Sequence, residues 1–195
     1  MKRTGIFGGA FNPVHHGHLI SAMHFIESCQ LDELILIPAY RSPFKQEDSM
    51  ALHRLQMCRL AVKDIKGMSV SDWEIEQGGT SFTVDTLRHF SEPGRALYML
   101  IGYDQIPRFH EWKEYETIFT LATVVVARRG GIAELTNPVI EKERFHFIRT
   151  PHIEISSTDI RTRSEKNQRI NFLVPPEVAE YITYHNLYRF GIQND

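Results

Sequence analysis

Cysteine is scarce in this chain: Cys29 and Cys58 are the only two among 195 residues, too few for a disulfide framework. Both fall in apolar stripes, Cys29 after Met23 and Ile26 and Cys58 between Leu55 and Val62, so they read as reduced core thiols. Neither lies in a local pattern that marks a nucleophile. An excess of one charge is also missing. The 22 Lys and Arg nearly balance 24 Asp and Glu, for a formal net charge of −2, which argues against a nucleic-acid partner or a charged membrane surface and favours small molecules. No apolar run approaches the ~20 residues needed to cross a bilayer. The opening MKRTGIFGG lacks the apolar stretch of a signal peptide, so a cytoplasmic location is expected. Internal repeats, low-complexity tracts and linkers are absent as well, and residues 1–195 read as one domain. Two common phosphate motifs fail. After Gly5, Gly8 and Gly9 the next glycine is Gly17, which excludes Gly-x-Gly-x-x-Gly, and no Gly-Lys-Ser/Thr closes a P-loop.

With 42% hydrophobic residues the chain can bury a substantial core. Its organising stretch is residues 5–19, GIFGGAFNPVHHGHL. Ile6 and Phe7 suit the end of a buried strand, Gly8 and Gly9 allow a tight turn with close backbone approach to a ligand, and a helix can start after Pro13. His15 and His18 then sit near a helix N-terminus, where unpaired N–H groups and the helix dipole favour an anion, with a nucleotide phosphate the natural candidate. Gly17 between them removes a side chain that would obstruct a phosphate chain. A zinc site from His15, His16, His18 and His24 is the alternative, disfavoured because no Cys or carboxylate stands at ligand spacing. A purely structural role for the histidines is the other.

Periodicity downstream describes an α/β protein. Leu19, Ala22, Met23 and Ile26 predict one helix face. Residues 34–37 are a continuous apolar run closed by Pro38 and predict a strand covered on both faces. Leu52, Leu55, Cys58, Val62 and Ile65 form a second helical stripe, with Arg54, Arg59 and Lys63 read as solvated. Residues 70–75, 96–101, 123–127, 145–148 and 152–155 predict further strands. Residues 82–87 read as a helix entry capped by Ser81 or Thr83, and a last helix starts near Pro175 with Val178, Tyr181 and Ile182 inward. The expected fold is a Rossmann-like, mostly parallel sheet flanked by helices in a single domain.

Several polar residues fall where strands end, the ligand edge of an open α/β sheet. Arg41 and Lys45 follow the second strand and are phosphate candidates, against an ordinary solvated loop. Asp104, just after Gly102, suits a ribose hydroxyl or a helix N-cap. Trp112 is large enough to stack on a flat ring or to fill core. Arg128 and Arg129 follow an apolar strand and can reach phosphate. Ser156, Ser157 and Thr158 open a helix whose N–H groups and hydroxyls suit a polyphosphate, with Arg161 one turn on.

The sequence GGAFNPVHHGHL resembles the opening signature of the His-x-Gly-His nucleotidyltransferases, in particular the bacterial nicotinate mononucleotide adenylyltransferases, and ISSTDIR is similar to their second phosphate motif. Asn12 stands where that family more often has aspartate, and Phe44 where it has histidine. The resemblance covers nearly the whole chain. It implies transfer of the adenylyl group of ATP to nicotinate mononucleotide, giving nicotinate adenine dinucleotide and pyrophosphate. His15, His18 and Arg161 would be catalytic. Gly8, Gly9, Phe11, His15, His18, Gly102, Asp104, Ser156, Ser157, Thr158 and Arg161 would bind ATP. Lys45, Phe82, Thr83, Asp104, Trp112 and Arg128 would bind the mononucleotide, Phe82 and Thr83 meeting the nicotinate carboxylate. Mg2+ would be held mainly by phosphates and water, not by a protein metal site. No nucleic acid or membrane partner is implied, and a homo-oligomer is left open. Transfer to another phosphate-bearing acceptor, and a nucleotide-sensing module without turnover, are the rival readings.

Overall fold

The computed structural model describes residues 1–41, 50–129 and 136–189. Six strands form one sheet: β1 (Lys2–Gly9), β2 (Glu33–Pro38), β3 (Met68–Val70), β4 (Arg95–Gly102), β5 (Ala122–Arg129) and β6 (His146–Thr150). Their spatial order is β3-β2-β1-β4-β5-β6, and every neighbouring pair is parallel. All six therefore finish on one edge. Gly9 lies opposite Pro38, Gly102 opposite Ala127 and Arg129 opposite Thr150.

Parallel strands need crossovers, and here these are α1 (His16–Cys29), α2 (Ala51–Val62), α3 (Trp73–Gln77), α4 (Thr83–Phe90), a 3-10 segment over Tyr103–Glu111, and α5 (Tyr115–Leu121). Helices α6 (Ser157–Glu165) and α7 (Pro176–Tyr184) complete the described chain. Burial on both faces explains why the strands read as continuous apolar runs. Leu34, Leu36, Leu100 and Val125 point into a core shared with α1, α2, α6 and α7. Their neighbours Ile35, Ile37, Ile101 and Val126 point into a second core with α4, the 3-10 segment and α5. Each such residue contributes about 1.5–3 kcal/mol relative to exposure.

The sheet is more regular than the expected mostly parallel one, and some element boundaries differ. Residues 70–75 do not form one strand: β3 ends at Val70 and α3 begins at Trp73. Residues 152–155 are not a strand. Neither Ser81 nor Thr83 caps α4, whose N-cap position is Phe82. Met23, Leu52 and Ile65, placed in apolar stripes by their hydrophobicity, are exposed, because the true contact faces are Ala22, Phe25 and Cys29 on α1 and Leu55, Cys58 and Val62 on α2. The largest departure is Arg54, read as solvated but only 1% exposed. Both cysteines are buried, and burial pushes the Cys58 thiol far above its ordinary pKa. No helix among the described residues is long and apolar enough to cross a membrane.

Gly5 sets how closely α1 approaches the sheet. A Cβ there would meet Leu31 Cδ1 at 2.5 Å, Leu34 Cδ1 at 2.8 Å and Phe25 Cε1 at 3.0 Å. Overpacking of this kind costs about 1–3 kcal/mol. Gly5→Ala is thus expected to lower the urea midpoint by a corresponding amount, and an unchanged midpoint would mean that α1 is free to retreat.

Candidate active site

Strand order reverses beside β1: the chain runs outward through β2 and β3 on one side, then returns to place β4 on the other. Elements leaving β1 and β4 go to opposite faces, α1 to one core and the 3-10 segment to the other, so a crevice opens at the carboxyl ends of these two strands.

The first wall is the turn from β1 to α1. Gly8 has open space where a Cβ would be, whereas a Cβ on Gly9 would touch the Phe11 ring at 3.1 to 3.4 Å. Phe11 has a φ of 46° and precedes a cis peptide bond between Asn12 and Pro13. Its ring is 2% exposed and lies edge-on beneath His18, with centroids 5.0 Å apart. The Phe11 side chain therefore supports His18.

His15 and His18 are brought together as their spacing suggests. Their rings stack at 3.7 Å between centroids, and the His15 amide donates to His18 Nδ1 at 3.3 Å. With Nδ1 accepting, the neutral His18 ring carries its proton on Nε2, a donor suited to an anionic oxygen. This reciprocal arrangement occupies the place of a capping box. The first turn of α1 holds no acidic residue, so its dipole is not offset locally. At Gly17 a Cβ would lie 3.0 Å from His15 Cε1 and Nδ1, so the glycine makes room for the His15 ring.

The second wall is the N-terminus of α6. Ser156 is its N-cap and accepts from the Asp159 amide at 3.0 Å. Ser157 Oγ donates to the Pro13 carbonyl at 2.9 Å, and Arg161 donates to the Asn12 carbonyl at 2.8 Å and to Thr158 Oγ1 at 3.2 Å. Residues 144 to 149 positions apart are thus fastened together, and the two helix starts share one locality. Tyr188 adds a third fastener, its hydroxyl donating to Asn12 Oδ1 at 2.6 Å. Nothing in the spacing of the sequence pointed to that contact.

Across the crevice, β4 ends at Gly102. A Cβ on Gly102 would be 2.5 Å from Asp104 Oδ1, so the glycine lets the carboxylate fold back over the strand end. Asp104 sits inside the 3-10 segment, with Gly102 at its N-cap position. Arg128, at the end of β5, places its guanidinium 5.6 Å from the Tyr103 ring centre. Trp112 is half-buried and packs on Phe109, centroids 4.8 Å apart. Phe82 and Thr83 open α4, and the Lys113 ammonium lies 4.7 Å from the Phe82 ring centre. Direct contact between Phe82, Trp112 and the histidine pair is not part of the arrangement given by these bonds. Lys45 lies outside the described residues. Near the start of α4, burial pushes the Glu74 carboxyl above the usual carboxylate range, against hydrogen bonds from Thr86 and Ser81 and the nearby Arg54 charge. Among the described residues no group of three or more His, Cys, Asp or Glu is placed to hold a metal ion.

Residues 6–163 match the cytidylyltransferase-like family. A relative from Clostridium beijerinckii, named "Probable nicotinate-nucleotide adenylyltransferase", is 39% identical over 97% of this chain and 100% of its own length. The chain belongs to that family. A relative of the same name from Tropheryma whipplei is 39% identical over 93% of this chain and 97% of its own. The fold is also that of the Plasmodium falciparum nicotinic acid mononucleotide adenylyltransferase complexed with NaAD, with a TM-score of 0.74, 20% identity, and coverage of 98% and 99% of the two chains.

The contact of Gly17 with His15 can be tested without reference to turnover. Gly17→Ala is expected to displace the His15 ring and shift its imidazole resonances in NMR spectra, leaving those of His53 unmoved. Unshifted His15 resonances would remove the proposed packing role.

Proposed function

We propose that this chain transfers the adenylyl group of ATP to nicotinate mononucleotide, releasing pyrophosphate, within the single domain of residues 1–195. The observation that carries the reading is the fastening of two helix N-termini, one bearing the stacked His15–His18 pair and the other Ser156, Ser157 and Thr158, at the crevice beside β1 and β4. Two anion sites at one locality suit a chain of phosphates. The full-length likeness to nicotinate-nucleotide adenylyltransferases supports the choice of reaction.

In this reaction an oxygen of the mononucleotide 5′-phosphate attacks the α-phosphorus of ATP. The new P–O bond forms as the bond to the α,β-bridging oxygen breaks, and the electron pair leaves with pyrophosphate. The nucleophile is already ionised near neutral pH, so catalysis rests on positioning and on stabilising charge. His18 Nε2–H and the α1 amides face the transferring group. Ser157, Thr158, the α6 amides and Arg161 hold the departing phosphates, with Gly8 and Gly9 leaving room for the chain. Asp104 accepts from ribose hydroxyls. Phe82, Thr83, Trp112, Arg128 and Lys45 form the acceptor side. The donor set is one of amides, hydroxyls, imidazoles and guanidinium, which fits a polyphosphate that brings its own Mg2+. When bound, such an ion would be held mainly by phosphate and water oxygens and would supply charge neutralisation at the leaving group.

His18→Ala is expected to lower kcat about a hundredfold, roughly 3 kcal/mol, with a much smaller change in ATP binding, since the contact strengthens as charge develops. Steady-state pyrophosphate release measures it, and an unchanged kcat would remove His18 from the mechanism. The nicotinate form of the acceptor should also be preferred to the nicotinamide form. Donors near Thr83 that satisfy both carboxylate oxygens would face an amide NH2, and each buried mismatch costs about 1–3 kcal/mol. Competition between the two mononucleotides is the measurement. Equal kcat/KM values would overturn the nicotinate assignment and leave adenylyl transfer standing.

A further inference from the structure

Arg54 is the largest fully buried side chain on α2. Its Nη1 donates to the Ala10 carbonyl at 2.7 Å, and its Nη2 donates to the carbonyls of Ala39 at 2.6 Å and Tyr40 at 3.1 Å. Ala10 belongs to the turn that leads into His15. Ala39 and Tyr40 belong to the turn that leaves β2, next to β1. One planar fork therefore bridges the turns of two adjacent strands, a geometry a single ammonium cannot reproduce.

The second turn passes the connection on. The Tyr40 amide donates to Ser81 Oγ at 3.0 Å, and the Ser81 amide donates to the Arg41 carbonyl at 2.9 Å. Ser81 precedes Phe82 and Thr83 at the start of α4. Beneath them the buried Glu74 accepts from Thr86 Oγ1. A set of hydrogen bonds thus runs from the histidine turn, through Arg54 and Tyr40, to Ser81, the residue before the two assigned to the acceptor ring.

We propose that Arg54 is a positioning residue that fixes the acceptor-binding segment, residues 81–83, relative to the nucleotide turn at Ala10. The inference rests on the adenylyltransferase reading above. Its effect is expected to be one-sided. The nucleotide turn keeps three other fasteners when Arg54 is lost, from Ser157, Arg161 and Tyr188. The segment at Tyr40 loses two of the charge-assisted bonds that hold it, and small displacements of a binding segment are costly to a reaction that depends on orientation.

The test is steady-state kinetics of Arg54→Lys and Ser81→Ala at a temperature where thermal unfolding shows both fully folded. For Arg54→Lys the acceptor KM should rise at least tenfold, with KM for ATP and kcat each within about threefold of wild type. Ser81→Ala removes the next link without emptying the core, and should raise the acceptor KM about fivefold with ATP constants unchanged. Equal changes in both KM values, or none, would make Arg54 a structural residue only and overturn the proposal. Should Arg54→Lys fail to fold, Ser81→Ala decides, and an unshifted acceptor KM overturns it. Absence of pyrophosphate release by the wild-type enzyme would instead overturn the adenylyltransferase reading, whereas normal wild-type turnover with unshifted variants overturns only the positioning role.

Discussion

The chain can leave β1 and β4 only by going to opposite faces of the sheet, and that constraint governs the rest of the structure. A parallel crossover is right-handed and must cover the face it leaves by. The order β3-β2-β1-β4-β5-β6 satisfies this on both halves, but it leaves the gap between the ends of β1 and β4 without an element to fill it. Apolar side chains close the sheet everywhere else, alternating between two cores. The gap is lined by what remains: backbone amides, glycines and the polar residues of the turns.

Those polar groups need a rigid backing, because a site that works by orientation loses its advantage if the donors drift. The backing is mostly backbone carbonyls captured by distant side chains. Ser157 takes the carbonyl of Pro13, Arg161 that of Asn12, and Arg54 those of Ala10, Ala39 and Tyr40. Hydrogen bonds from charged donors are worth about 1.5–3 kcal/mol each, large against the total stability of a domain this size. The guanidiniums that touch the nucleotide turn are spent on geometry as much as on charge. A chain with a net charge of only −2 thus gathers guanidinium donors at these turns without an overall excess of basic residues.

The sheet and its order of elements were legible because each central strand is a short, uninterrupted apolar run such as residues 34–37, a pattern that only burial on both faces explains. That His15 and His18 project to one side followed from their spacing at a helix start, and the start of α6 from Ser156, Ser157 and Thr158. Hydrophobicity misled where a large apolar residue stood at the wrong phase, as with Leu52, and charge misled at Arg54. Yet the period itself marked that position: Ala51, Arg54, Leu55, Cys58, Ala61 and Val62 are one face of α2 and all are buried. A buried arginine needs carbonyls to bond, and no spacing within α2 shows that the turns at Ala10 and Ala39 will supply them. The Tyr188 contact with Asn12 spans 176 positions and was beyond any local pattern. The glycines were visible as glycines, but what each makes room for, a ring at Gly17 or a carboxylate at Gly102, depends on side-chain directions that sequence alone does not set.

The tie between Tyr188 and Asn12 joins almost the two ends of the described chain. During synthesis the ribosome delivers the histidine turn first and this fastener only 176 positions later. Contacts of such long range close late, because the entropy of the intervening loop must be met before they form. The β1–β2 pairing and its helix can assemble on the nascent chain, but the turn at Asn12 acquires its last tie only once Tyr188 is available. A product truncated beyond α7 would carry His15, His18, Ser157 and Arg161 and still lack the Tyr188 tie to Asn12.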